Sequence, residues 1–269
     1  MTPPIQRRLA GLAVEVSGSE PIEGAARPTV VMLPGAMDRA AGFRRTIRHL
    51  DAEHVVAIDR RGYAGSLDVD VSDDLGVHAN DLAAVCDAIG RDVVVVGHSQ
   101  GGLIGLIAAA SHRVDRLAGL VIWEPPMPWF EWYGGSAAAL DMGDDPAEAA
   151  EFFMRSVLGD RLWERLPATT RAARLAEGPA LLADLRASRR PGVAADLSAI
   201  QAPTAVGRGS ESRDHHRRSA QIAADTIPGA VLVEIEGSNH GGHLSHPTAF
   251  AAMIAAQLDR VDPERRAAR

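Results

Sequence analysis

Short apolar runs alternate with amphipathic stretches along most of the chain. TVVML (29–33), HVVAID (54–59), DVVVVG (92–97), LAGLVIW (117–123), PTAVG (203–207) and AVLVEI (230–235) are rich in β-branched residues and have the length of strands. DVVVVG is the most continuously apolar, which suits a strand covered on both faces. Between these runs the spacing predicts helices near 42–50, 72–90, 100–111, 215–226 and 247–259. SDDL supplies an N-cap and first-turn acids for the second helix, and Pro247 opens the last one. Strands and helices alternating at this spacing imply an α/β fold with a mainly parallel central sheet and helices on both faces. LAGLAVEVSG near the start adds antiparallel edge strands. The rhythm breaks between about 127 and 197, where DPAEAAEFFMRSVLG and LPATTRAARLAEG read as short amphipathic helices. The expected division is a core of residues 1–126 and 198–269 with a helical cap of 127–197 over the sheet edge. The terminal DPERRAAR reads as a frayed, charged tail.

Composition narrows the function classes. The 269 residues are 46% hydrophobic with a net charge of -7, which argues against nucleic acid as a partner. The basic residues are all Arg, scattered without a tract. No run of eighteen apolar residues offers a membrane span, and MTPPIQRRLAG lacks the apolar core of a signal peptide. The lone Cys86, in a helical context, reads as a buried structural thiol and fits a cytoplasmic location. The oligomeric state, monomer or homodimer, is left open.

The chemistry starts at VVVVGHSQGG, where Ser99 stands between a buried strand and a Gly-rich helix start. A Gly-x-Ser-x-Gly pattern needs this strand–turn–helix context to mean anything. The turn lifts the Ser99 hydroxyl above the sheet, and the helix N-terminus offers unpaired N–H groups to a developing oxyanion.

With this elbow, DRRGYAGS (59–66), LPGAMD (33–38) and IEGSNHGGHLSHPTAF (235–250), nearly the whole chain resembles the α/β-hydrolase family. The resemblance implies a hydrolase core with a helical cap, no cofactor, and an oxyanion hole from the N–H groups of Ala36 and Gln100. Pro34 stands where the family usually has a histidine, which changes the support of that turn but leaves the backbone donor. Asp59, Arg61 and His98 match family positions with supporting rather than catalytic roles.

A serine hydroxyl needs a base. His240 follows the last strand at the sheet edge that carries Ser99, and it lies seven residues before Pro247, as the family's histidine does. His240, His243 and His246 lack the helical His-x-x-x-His spacing of a metal site, so no metal is expected. His215 and His216, at a helix start, read as solvated surface.

The carboxylate that should orient the base is missing from its usual family position, which Ser210 occupies. Three candidates remain: Glu124, Glu211 and Asp214, the last with a sufficient role as a helix N-cap. Glu124 ends a strand at the right edge, and some α/β-hydrolases, haloalkane dehalogenases among them, look similar in placing their acid there. Pro125 bars the helical conformation at Glu124 and predicts an extended backbone. Ser99, His240 and Glu124 are therefore the expected triad, with Glu211 as the alternative acid.

Five of the eleven aromatic residues, Trp123, Trp129, Phe130, Trp132 and Tyr133, fall within 123–133. With Met37, the residues Trp123, Trp129, Phe130 and Trp132 are expected to line a pocket for a small to medium apolar substrate. Arg155 or Arg161 could clamp a phosphate-bearing group. The expected partner is a small molecule and the expected activity is cleavage of a carboxylic ester or lactone through an acyl-enzyme. Amidase, thioesterase, C–C hydrolase and cofactor-free peroxidase chemistry, or ligand binding without catalysis, are alternatives on the same fold. Epoxide hydrolase and dehalogenase chemistry would want an aspartate where Ser99 stands.

Overall fold

The computed structural model describes residues 3–18, 27–50, 54–133, 145–190 and 194–262. Among these, eight strands form one sheet: β1 (Ile5–Leu9), β2 (Leu12–Gly18), β3 (Thr29–Leu33), β4 (His54–Ile58), β5 (Val93–His98), β6 (Leu117–Trp123), β7 (Thr204–Gly209) and β8 (Val231–Ile235). The spatial order is β1-β2-β4-β3-β5-β6-β7-β8. The pairs β1–β2 and β2–β4 are antiparallel; the others are parallel. Every residue of β5 is buried, while β1, at the outer edge, is mostly exposed.

Parallel neighbours require crossovers, and helices supply them. A 3₁₀ turn over Ala40–Phe43 runs into the single-turn α1 (Arg44–Ile47), which stops three residues short of the expected helix end. Next come α2 (Leu75–Ile89), capped by Asp74 through the Gly76 N–H at 2.7 Å, and α3 (Gln100–Ala110). Between β6 and β7 lie α4 (Pro146–Leu158), α5 (Asp160–Arg165), α6 (Ala168–Leu175) and α7 (Gly178–Arg189). The sequence pattern pointed to α4 and α6. Pro179, in the first turn, opens α7. The chain closes with α8 (Asp214–Thr226), α9 (Gly242–Ser245) and α10 (Pro247–Val261).

Alternation along the strands divides the core. Val95, Leu120 and Ile122 face α2, α3 and α8, packing with Leu82, Leu103 and Ala220. Val94, Val121 and Trp123 face α1 and α10, packing with Ile47, Phe250 and Met253.

The segment between β6 and β7 is tied to the core by buried charge. Arg60 of the loop after β4 bonds both oxygens of Asp184 on α7, at 2.9 and 2.7 Å, and Tyr63 donates to the same carboxylate at 2.7 Å. Glu177, just before α7, accepts from Arg39 at 2.7 Å and from the Ala64 N–H at 3.0 Å. Met37, Tyr63, Met154, Trp163 and Leu181 form an apolar cluster at this junction. Among the described residues no helix is long and apolar enough to cross a membrane.

Candidate active site

Ser99 occupies the single residue between β5 and α3, with φ +51° and ψ −119°. A non-glycine residue pays for this conformation with strain of about 1–3 kcal/mol, which tight packing around the turn sustains. A Cβ at Gly97 would come within 2.6 Å of the Gly101 carbonyl, and one at Gly101 would overlap the Leu33 carbonyl. Glycine at both positions lets strand, helix and the turn after β3 meet around Ser99. The Ser99 N–H donates to the Trp123 carbonyl at 2.8 Å, and its own carbonyl starts α3 by accepting from Leu103 at 3.0 Å. Gln100 is the first residue of α3, so its N–H has no acceptor within the helix.

The turn of Pro34, Gly35 and Ala36 lies against this elbow: a Cβ on Gly35 would be 3.1 Å from the Ser99 Cβ. Its support comes from a residue that the sequence pattern did not single out. Arg60 donates to the Pro34 carbonyl at 3.0 Å and to the Gly35 carbonyl at 3.1 Å while it grips Asp184. The guanidinium thus connects α7 to the turn bearing Ala36. Asp59 accepts from the N–H groups of Ala40 and Gly65, and Arg61 pairs with Asp81 at 2.6 Å.

His240 lies in the turn after β8. Its carbonyl accepts from Trp123 Nε1 and from His98 Nε2, both at 2.9 Å. Its ring Nδ1 is 2.6 Å from Glu124 Oε2. Glu124 is fully buried, and its Oε1 accepts from the Gly209 N–H at 2.8 Å. Since His98 pairs with Trp123 across β5 and β6, Glu124 falls in the row of Ser99. The carboxylate therefore bridges the ends of β6, β7 and the His240 turn. Its backbone is not extended as expected: φ is +43°. The Pro125 ring disfavours the right-handed helical region, and the chain turns off the sheet through the left-handed one instead.

The competing carboxylates lie elsewhere. Glu211 is exposed, its backbone N–H donating to the Ser238 carbonyl at 2.8 Å. Asp214 is the exposed first residue of α8, not its N-cap; Arg213 holds that place. Ser210 accepts from the Gly237 N–H at 2.8 Å, so the vacated acid position ties the end of β7 to the turn before His240.

His216 departs from its expected place on the solvated surface. Its ring stacks on His240 with centroids 3.8 Å apart and planes 9° apart. Ring contacts continue from His240 to His98 at 4.8 Å and on to His243 at 4.4 Å; in the other direction His216 meets His215 at 4.0 Å. Burial, then the neighbouring His243, His215 and Arg213, lower the His240 pKa to about 3, so the ring is neutral at pH 7 and able to accept a proton. Glu124 opposes that shift by favouring the imidazolium as it forms. Burial and the facing His240 and His215 push His216 down to about 2, and burial holds His98 well below its usual value. Asp38 is held at about 2: burial alone would raise it, but the His243 hydrogen bond and nearby His98 outweigh burial.

The residues expected to line a pocket separate into two groups. Trp123 is fully buried on the α10 face, against Phe250 at 5.2 Å, so it supports the His240 turn from beneath and faces no substrate. Met37 is 4% exposed and packs into the junction with α4 and α7. Trp129, Phe130 and Trp132 are half-buried and follow one another by ring contacts at 6.0 and 5.4 Å. Trp132 then meets Tyr133, whose edge meets His215 at 5.4 Å, so the aromatic run reaches His240 through His215 and His216. Arg155 is already engaged by Glu151, Asp160 and Glu164. Cys86 is buried, which pushes its thiol up to about 12.

Of the histidines that follow His240, His243 bonds Asp38 at 2.9 Å and His246 bonds Ser245 at 2.9 Å. Among the described residues two groups bring possible metal donors together, Asp38 with His98 and His243, and Glu124 with His216 and His240.

The chain and its fold have counterparts among known proteins. The polyketide synthase ThaQ of Burkholderia thailandensis is 28% identical over 253 residues, which is 90% of this chain but only 12% of that protein's length. An esterase from Rhodococcus sp. ECU1013 superposes with a TM-score of 0.72 at 22% identity, covering 97% of this chain and 100% of the other. The enol-lactonase from Burkholderia xenovorans LB400 gives 0.70 at 19%, covering 94% and 99%. The family model described as the alpha/beta hydrolase family matches residues 30–253, from β3 through the elbow and the His240 turn into α10. The chain belongs to the alpha/beta hydrolase family.

Proposed function

We infer that the protein is a serine hydrolase that cleaves a carboxylic ester or lactone of a small to medium apolar substrate. The observation that carries this reading is the 2.6 Å bond between His240 Nδ1 and the fully buried Glu124, in the row of Ser99. That bond directs the Nδ1 proton to the carboxylate and leaves Nε2 with its lone pair free. Ser99 Oγ attacks the carbonyl carbon while its proton passes to His240 Nε2, and the oxygen, now negative, is held by the N–H groups of Ala36 and Gln100. Collapse of this intermediate breaks the C–O bond, and the same proton leaves with the alcohol. Water then attacks the acyl-enzyme by the same route and frees Ser99. Glu124 holds the ring and offsets its transient charge. Trp129, Phe130 and Trp132 provide the apolar wall that the acyl or alcohol group meets.

A fluorophosphonate probe followed by a panel of p-nitrophenyl esters of graded chain length tests the reading. Intact protein should label at Ser99 and release p-nitrophenol, and Ser99→Ala should do neither. Absence of labelling in folded protein would favour ligand binding without catalysis.

A further inference from the structure

We propose that Glu124, His240 and His216 together form an inhibitory site for a divalent transition ion of the Zn²⁺ class. Its inhibitory consequence rests on the hydrolase reading above; the binding itself does not.

The three side chains come from separate elements, the end of β6, the turn after β8 and the first turn of α8, yet each offers a ligand atom and these all lie within 4.8 Å of one another. Two imidazoles and one carboxylate are the donor set of zinc sites that keep a position open. Glu124 is already aimed by the Gly209 N–H, and the His240 backbone is pinned by Trp123 and His98. Among the described residues the buried His216 Nδ1 has no hydrogen-bond partner, an expensive state for a polar atom that a bound cation would relieve. The His240 side chain is 31% exposed, so an ion has a way in.

The adjustment required is confined to side chains. Tetrahedral donors at zinc bond lengths stand about 3.3 Å apart. The 2.6 Å contact between His240 and Glu124 must open by less than an ångström, and His216 must roll out of its parallel stack towards Glu124. Arg213 and the N-terminus of α8 oppose a cation here, while the buried Glu124 charge favours it. Imidazole donors select Zn²⁺, Ni²⁺ or Cu²⁺ over Mg²⁺ and Ca²⁺, which prefer oxygen.

Binding would disable the base by tautomerism. With the metal on Nδ1 of a neutral imidazole, the ring proton exchanges through solvent to Nε2, with no net gain or loss. Nε2 is the atom that must accept the Ser99 proton, and once protonated it cannot. The ion also occupies the Glu124 oxygen that would offset the imidazolium. The other group, Asp38, His98 and His243, is less suited: both its histidines are buried, where His240 is partly exposed, and a Cβ on Gly35 would lie 2.9 Å from His98 Nδ1.

The test separates binding from catalysis. Ser99→Ala keeps the three donors, so the full chain carrying it should bind one Zn²⁺ by calorimetry with ZnCl₂, and CoCl₂ should give the visible absorption of a low-coordinate site. His216→Gln and His216→Phe, the latter keeping an aromatic ring against His240, should each weaken that binding by roughly 10–100-fold or more. In the unsubstituted protein ZnCl₂ should stop ester hydrolysis over the same concentration range, a chelator should restore it, and MgCl₂ should do nothing. Equal Zn²⁺ affinity in folded His216 variants and Ser99→Ala, or saturation with Zn²⁺ without loss of hydrolysis, overturns the proposal. A protein that binds Zn²⁺ as described but hydrolyses no ester overturns the functional reading instead.

Discussion

Replacing Glu124 by Gln removes one charge and almost no volume, and the site gives it nowhere good to sit. Two donors converge on the carboxylate, the Gly209 N–H at 2.8 Å and the His240 Nδ1–H at 2.6 Å. A carboxylate accepts both; an amide has one oxygen. If that oxygen faces Gly209, the NH₂ faces His240, and Nδ1 must give up its proton and become the acceptor. Nε2 then carries the hydrogen and cannot serve as the base. If the oxygen faces His240, the NH₂ opposes the Gly209 N–H, a buried donor–donor contact costing about 1–3 kcal/mol. In both cases the imidazolium formed in the transition state loses its counter-charge. With charge centres about 4 Å apart at an effective dielectric constant near 20, that attraction is about 4 kcal/mol. At about 1.4 kcal/mol per decade, kcat should fall about 10³-fold. The assay is p-nitrophenyl ester turnover with Ser99→Ala as the floor, circular dichroism as a check on folding, and Glu211→Gln as the control, expected to stay within about twofold because Glu211 is exposed and away from the ring. A Glu124→Gln protein within tenfold of the parent, or a Glu211→Gln protein equally impaired, would refute the assignment.

Other consequences follow from the same geometry. In the proposed mechanism His240 accepts a proton only when neutral, and its pKa is lowered from 6.5 to about 3, so kcat/KM should stay level as pH falls from 7 to below 6 and decline only at lower pH; a limb at or above 6.5 would contradict this. Asp184→Ala strands Arg60 in a buried site and frees the Tyr63 hydroxyl, so urea unfolding should reveal a loss of about 3–5 kcal/mol, and ester turnover should fall with it because Arg60 also holds the Pro34 and Gly35 carbonyls. Burial works against the Asp184 charge, but Arg60 outweighs it and holds the pKa below the usual 3.8; this contribution should be complete above pH 3.8 and vanish on further acidification. Gly101→Ala drives a methyl group into the Leu33 carbonyl and should cost about 1–3 kcal/mol in unfolding free energy, with loss of fluorophosphonate labelling as the elbow shifts.

Much of this protein is local, and local features are legible in the order of residues. A β-branched run such as VVVVG has few options besides a buried strand, and glycines at 97 and 101 around Ser99 leave few turns besides the elbow. His240 was locatable because the strand before it and Pro247 after it are both strong boundary signals. The start of α7 is not legible in this way, because a proline that starts a helix, as Pro179 does, and one that ends it look alike until the flanking turns are known.

What depends on which side chains face each other across elements was decided only by the tertiary structure. The sequence offered Glu124, Glu211 and Asp214 as partners for His240; sheet register and the end of β7 bring the first to within 2.6 Å and leave the others exposed. Trp123 looked like a pocket residue because it precedes a run of aromatics, but a one-residue step along a strand changes the face, and Trp123 points to α10. Arg60 and His216 carry no motif of their own. Their roles arise because Asp184 on α7 and the first turn of α8 fold onto the loops around Ser99 and His240, contacts between residues more than a hundred and about two dozen positions apart that no local pattern encodes.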